Sequence, residues 1–317
     1  KLGPSPIDLR LWPEAILQVT EKLQSLVGSV STAWNTPVLR GKARDQLPLI
    51  LTLLLAAGLL LTQGRVWLAR ALRRLSRSEH AGGVDLARYL QGLGQLVIVM
   101  LCVFLLSHVW SVSRLYDFDL NVLLQAATWI FAPLFVSRWL ASQLCPMDDT
   151  ARSAFSLSNR SRVQARFLIR WLGVVISAMI LTDYLRDMGD FSSGTAAVIV
   201  FVLVSIAGVG AFRFGGLLLR QSHGAPNATE VEQVPQRFVV RLGQGLAITA
   251  AISIALSVIG YSDLAVALLR AVLLSAGLLG ILVVTFDAVR NTSAMLSTDP
   301  SAGHDSLAAV VVNASLM

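Results

Sequence analysis

The chain has 317 residues, 55% of them apolar and 14% charged, with a formal net charge of +7, and its mean hydropathy is +0.66. Soluble domains carry about 25% charged residues, and this composition cannot cover a water-facing exterior. It excludes an ordinary soluble enzyme and a disordered chain, and two cysteines are too few for a disulfide scaffold.

The first 45 residues read as a helical tail. After Trp12-Pro13, apolar residues fall at Ile16, Val19, Leu23, Leu26 and Val30, a 3-4-3-4 spacing with Pro13 in the first turn. Such a stripe ends a longer coil or lies on a membrane surface.

From residue 46 to residue 290 the pattern is that of transmembrane helices, which need about 20 mostly apolar residues each. Uncharged stretches of 19, 25, 18, 22 and 21 residues lie between Asp45 and Arg65, Arg88 and Arg114, Asp119 and Arg138, Asp190 and Arg213, and Arg241 and Asp263. Two further runs carry one arginine each, Arg170 and Arg270. Seven spans are expected, at about 46–64, 90–112, 120–138, 166–183, 193–213, 241–261 and 264–287. The runs are too long for membrane strands and do not alternate, so the expected fold class is all-α: one leading span and three hairpins. Residues 291–317 are a linker and the start of an eighth span. The chain opens on Lys1 and stops inside an apolar run, so further segments are expected beyond both ends.

Arginines set the orientation. The segments after spans 1, 3 and 5 hold sixteen of them, and the connections after spans 2, 4 and 6 hold two. Arginine-rich loops face the cytoplasm. The tail is therefore expected outside, in the periplasm of a bacterial inner membrane, although Arg40, Lys42 and Arg44 sit against that assignment. Only three of the 26 cations are lysine, and the arginines cluster beside apolar runs, where anionic headgroups lie. That points to lipid partners rather than nucleic acid. The candidate lipid contacts are Arg65, Arg70, Arg73, Arg74, Arg88, Arg166, Arg170, Arg237, Arg241 and Arg270.

The three hairpins resemble one another. Arg88-Tyr89, Arg166-Phe167 and Arg237-Phe238 open them, and glycines follow at Gly94, Gly173 and Gly243. Each hairpin turn carries a tyrosine near an aspartate, and each exit a phenylalanine near an arginine. This fits a repeated unit anchored at both interfaces, and also the dressing any membrane hairpin acquires.

Residues for chemistry are scarce. Every Asp and Glu lies in a loop or at a span edge, and the four histidines sit at edges or in loops without metal spacing. No catalytic, cofactor or metal site is expected, nor a small-molecule substrate. Gly208, Gly210, Gly215 and Gly216 read as close helix packing, with a pore-lining helix as the alternative. Arg270 lies about 9 Å into its span. It would snorkel to headgroups, pair with an acid such as Asp263, or take part in gating.

The tail with Ser5-Pro6 and Trp12, the exit Gly64-Arg65-Val66-Trp67-Leu68-Ala69-Arg70-Ala71-Leu72-Arg73-Arg74-Leu75, the entry Val234-Pro235-Gln236-Arg237-Phe238, and the Gly260-Tyr261 turn before Leu264–Arg290 together resemble the N-terminal half of large bacterial mechanosensitive channels of the small-conductance (MscS-like) family. The resemblance covers nearly the whole chain through architecture and local similarity. The family's Ala/Gly-patterned pore helix and β-rich domain are not found in these residues, so no pore residue is carried over. The resemblance implies a homo-oligomer, usually a heptamer, that releases solutes on hypo-osmotic shock when membrane tension rises. A transporter or permease subunit and a membrane scaffold are the alternatives.

Overall fold

A computed structural model describes residues 4–35, 47–64, 66–70, 81–113, 118–146, 159–189, 191–221 and 230–297. Among the described residues there is no strand. The helices are α1 (Leu11–Asn35), α2 (Leu47–Leu59), α3 (Ala81–Ser113), α4 (Phe118–Leu144), α5 (Asn159–Asp187), α6 (Ser193–Gln221), α7 (Glu230–Ile259) and α8 (Ser262–Ser297). A π-helical turn, Leu60–Gly64, continues α2. Among the described residues seven stretches are long and apolar enough to cross a membrane: Leu47–Arg70, Ala87–Val109, Val122–Leu144, Arg160–Asp187, Ser193–Leu219, Val240–Ile259 and Ser262–Phe286. The protein is an all-α, multi-pass membrane protein. The expected eighth span lies outside the described residues.

The turns follow from backbone chemistry. At the α7–α8 corner Gly260 has φ +102°, a region closed to residues with a side chain. Its N–H bonds the Ser257 carbonyl at 3.2 Å, and the Tyr261 N–H bonds that of Leu256 at 2.9 Å. This pair of bonds is a Schellman cap, which satisfies carbonyls a helix end would leave bare. Gly189, with φ +76°, closes α5 through a bond to the Arg186 carbonyl at 2.9 Å.

Apolar residues encircle every span, so packing is decided by shape rather than by amphipathic faces. α5 and α6 are central, with 50% and 56% of their spanning residues buried, against 6% for the first span and 11% for α8. One core layer joins α5 to α8 through Leu172, Met179, Val204, Ala250 and Leu269. A second, nearer the arginine-rich end, joins α4, α5 and α8 through Trp139, Ala141, Cys145, Ala165, Ile169 and Val284. Tyr89 of α3 reaches the Thr285 hydroxyl at 3.2 Å, so α8 also closes back on the first hairpin.

The entry glycines have one structural job in common. A Cβ on Gly94 would strike Leu68 of the first span, one on Gly173 would strike Ser137 and the Pro133 carbonyl of α4, and one on Gly243 would lie 2.9 Å from the Gly215 carbonyl of α6. Each hairpin's entry helix therefore seats its glycine against the exit helix of the unit before it. The three recurring glycines thus share one packing role.

Tail helix α1 docks through a face other than its apolar stripe. Ile16 and Leu23 of the apolar stripe are exposed. Contact is made instead by Leu11, which meets Gly194 of α6, by Trp12, edge-on to Phe201 at 6.5 Å, and by Gln18, whose Oε1 accepts from the Ser192 N–H at 3.1 Å. Ser5 donates to the Val258 carbonyl at 3.1 Å. The tail is thereby fixed to α6 and α7 at the end opposite the arginines.

Candidate functional site

Charge is concentrated at the two ends of the bundle. At the tail-bearing end α5 and α8 run antiparallel, so the deeper acid of one meets the deeper base of the other. Arg270 Nη2 lies 2.5 Å from Asp183 Oδ2, and Arg186 Nη1 lies 2.5 Å from Asp263 Oδ1. The first pair is the more covered, with side-chain exposures of 31% and 42% against 48% and 72%. Both pairs tie the second hairpin to the third. A cavity of about 490 Å³ opens beside the outer pair, lined by Pro4, Arg186, Ser193, Tyr261, Ser262 and Asp263.

At the other end, the first turns of α5 carry Arg162, Arg166 and Arg170. Their four-residue spacing puts them on one helix face. Arg170 lies within electrostatic reach of Arg166 and, across the interface, of Arg138 on α4. Arg162 and Arg166 act in the same way on Cys145. The Nε atoms of Arg166 and Arg170 are buried without a hydrogen-bond partner in the protein.

Cys145 is 1% exposed, and burial pushes its thiol up to about 11 despite the two arginines. Thiolate is the nucleophile, so at pH 8 Cys145 is expected to react with maleimide roughly a hundredfold more slowly than an exposed cysteine. Mass spectrometry of labelled native and denatured protein checks this, and rapid native labelling contradicts it.

The ten sequence candidates fall into distinct places. Arg166 and Arg170 are half-buried and adjacent, joined by Arg138 and Arg162, which were not singled out. Their i, i+4, i+8 spacing was the available signal. Arg88 is half-buried at the start of α3, and Arg70 and Arg241 are exposed. Arg65, Arg73 and Arg74 lie outside the described residues, as does the side chain of Arg237. Arg270 is paired, with Asp183 rather than with the nearer Asp263. Among the described residues no three His, Cys, Asp or Glu side chains are grouped to hold a metal ion. Gly208 packs on Ile254 and Gly215 on Gly243, while a Cβ on Gly216 would meet nothing within 4 Å. No protein-family model, curated protein or solved structure matches the chain.

Proposed function

We propose that this chain is the tension-sensing transmembrane region of a bacterial mechanosensitive channel that releases solutes on hypo-osmotic shock. The reading is supported above all by the serial packing of the hairpins, each seated on its predecessor through a glycine. Such a row can tilt or spread as connected units, and tension favours whichever state occupies more membrane area. The first span, with 6% of its spanning residues buried, offers most of its surface to lipid. The sequence resemblance to the MscS-like family supports the same reading, together with a homo-oligomeric assembly in the inner membrane and a tail in the periplasm.

Patch recording of the full-length encoded protein in liposomes tests it. Suction is expected to evoke discrete single-channel openings whose frequency rises with applied pressure. Silence across many patches that contain the protein overturns the proposal.

A further inference from the structure

We infer that the arginines where α4 meets α5 form a site for the phosphodiester headgroup of an anionic membrane lipid. It rests on the membrane-embedded fold alone, so a chain silent under suction can still pass the test below.

Four guanidinium groups gather there. Arg162, Arg166 and Arg170 follow one another at one-turn intervals on α5, and Arg138 approaches Arg170 from α4. Like charges one turn apart oppose helix formation, and guanidinium groups keep their proton. The buried Nε–H groups of Arg166 and Arg170 have no acceptor, and an unmet buried donor is costly. Among the described residues the positive charge of Arg138, Arg166 and Arg170 is not matched by a carboxylate. A phosphodiester supplies what is missing: negative charge and oxygen acceptors matched to the guanidinium fork.

Position identifies the source of that phosphate. Arg170 stands one turn beyond Arg166, at the start of the uncharged run 171–182, and a freely diffusing anion does not enter hydrocarbon. An exposed apolar stripe runs up the same helix beside the arginines. It consists of Val163, Phe167, Trp171 and Val174, exposed by 49%, 63%, 40% and 42%. Phe167 and Trp171 stack with ring centroids 6.2 Å apart. Guanidinium groups beside an aromatic stripe match a molecule with an anionic head and acyl tails. α4 and α5 pass closely there, with Gly173 seated on Ser137 and the Pro133 carbonyl.

Trp171 provides the readout. The chain is reconstituted in phosphatidylcholine vesicles in which one-fifth of the lipid is brominated on its acyl chains, either phosphatidylglycerol or phosphatidylcholine. Quenching of Trp171 is obtained by subtracting the signal of Trp171→Phe. The wild type is expected to show several-fold preference for brominated phosphatidylglycerol. Arg166→Gln/Arg170→Gln is expected to lower that preference about tenfold, and Arg166→Lys/Arg170→Lys to keep most of it. The exposed Arg138→Gln, which leaves the core untouched, is expected to lower it about threefold and decides the matter if the double variant does not fold. Equal quenching by the two lipids in the wild type overturns the proposal, as does an unchanged preference in both Gln variants. Loss of preference in 10 mM inorganic phosphate at constant ionic strength also overturns it, by assigning the cluster to free anions.

Discussion

Replacing Asp183 with leucine is expected to destabilise the folded protein by about 2–3 kcal/mol, because the Arg270 guanidinium is then left without its partner inside the membrane span. The reverse change, Arg270→Leu, is expected to cost less. It removes the group that is expensive to immerse and leaves a carboxylate 42% exposed one turn from the end of α5. Removing both should return stability to within about 1 kcal/mol of the wild type, as replacement of ion pairs by apolar residues commonly does. Unfolding titrations in mild detergent with increasing dodecyl sulfate measure all three. A loss below 0.5 kcal/mol for Asp183→Leu, on the scale of an exposed ion pair, would show that the pair is solvated and contributes little.

Neighbouring glycines on α6 provide the second large effect. A Cβ at Gly215 would sit 2.5 Å from the Gly243 carbonyl oxygen, and backbone cannot rotate out of the way as a side chain can. Gly215→Ala is therefore expected to cost about 3 kcal/mol, at the upper end of overpacking losses, since α6 and α7 must move apart along their length. Gly216→Ala, one residue on, meets open space and is expected to be neutral or to stabilise by up to about 1 kcal/mol through better helix propensity. The same titration decides the comparison. Equal effects at the two positions would remove the close α6–α7 approach from the account.

Span number was legible because apolar length is a direct consequence of bilayer thickness, and the seven helices lie where five charge-free gaps and two apolar runs with one arginine each place them. The faces of those helices were not legible. A span apolar all round carries no periodic signal for which side meets protein and which meets lipid, so the centrality of α5 and α6 depends on shapes the sequence lists without arranging. Gly94, Gly173 and Gly243 were visible as a recurring mark, but their seats on the preceding helix required the depth at which antiparallel helices pass one another. Arg270 shows the same limit. Asp263 is seven residues away in the chain, yet Asp183 lies at the matching depth on the opposite helix, and depth selects the partner. The docking face of the tail was not legible either: Ile16 and Leu23 form the regular stripe and stay exposed, while the Leu11, Trp12 and Gln18 face fits the start of α6.

Arg170 and Asp183 stand thirteen residues apart on α5, a rise of about 20 Å. The hydrocarbon of an ordinary bilayer is about 30 Å thick, and any tilt of the helix shortens the charged interval further. In such a bilayer both charges are drawn roughly 5 Å below the headgroups, a depth that arginine and the Asp183–Arg270 pair relieve only in part. Mismatch of this sign costs a fraction of a kcal/mol per ångström, so the spacing of these charges is expected to suit a bilayer thinner than average. Stability is accordingly expected to be higher in fourteen-carbon than in twenty-carbon phosphatidylcholine, as measured by thermal unfolding in nanodiscs, and the reverse order would contradict the fit. Because a stretched membrane also thins, stretching is expected to lessen this mismatch, whose size is set by thirteen residues of helix.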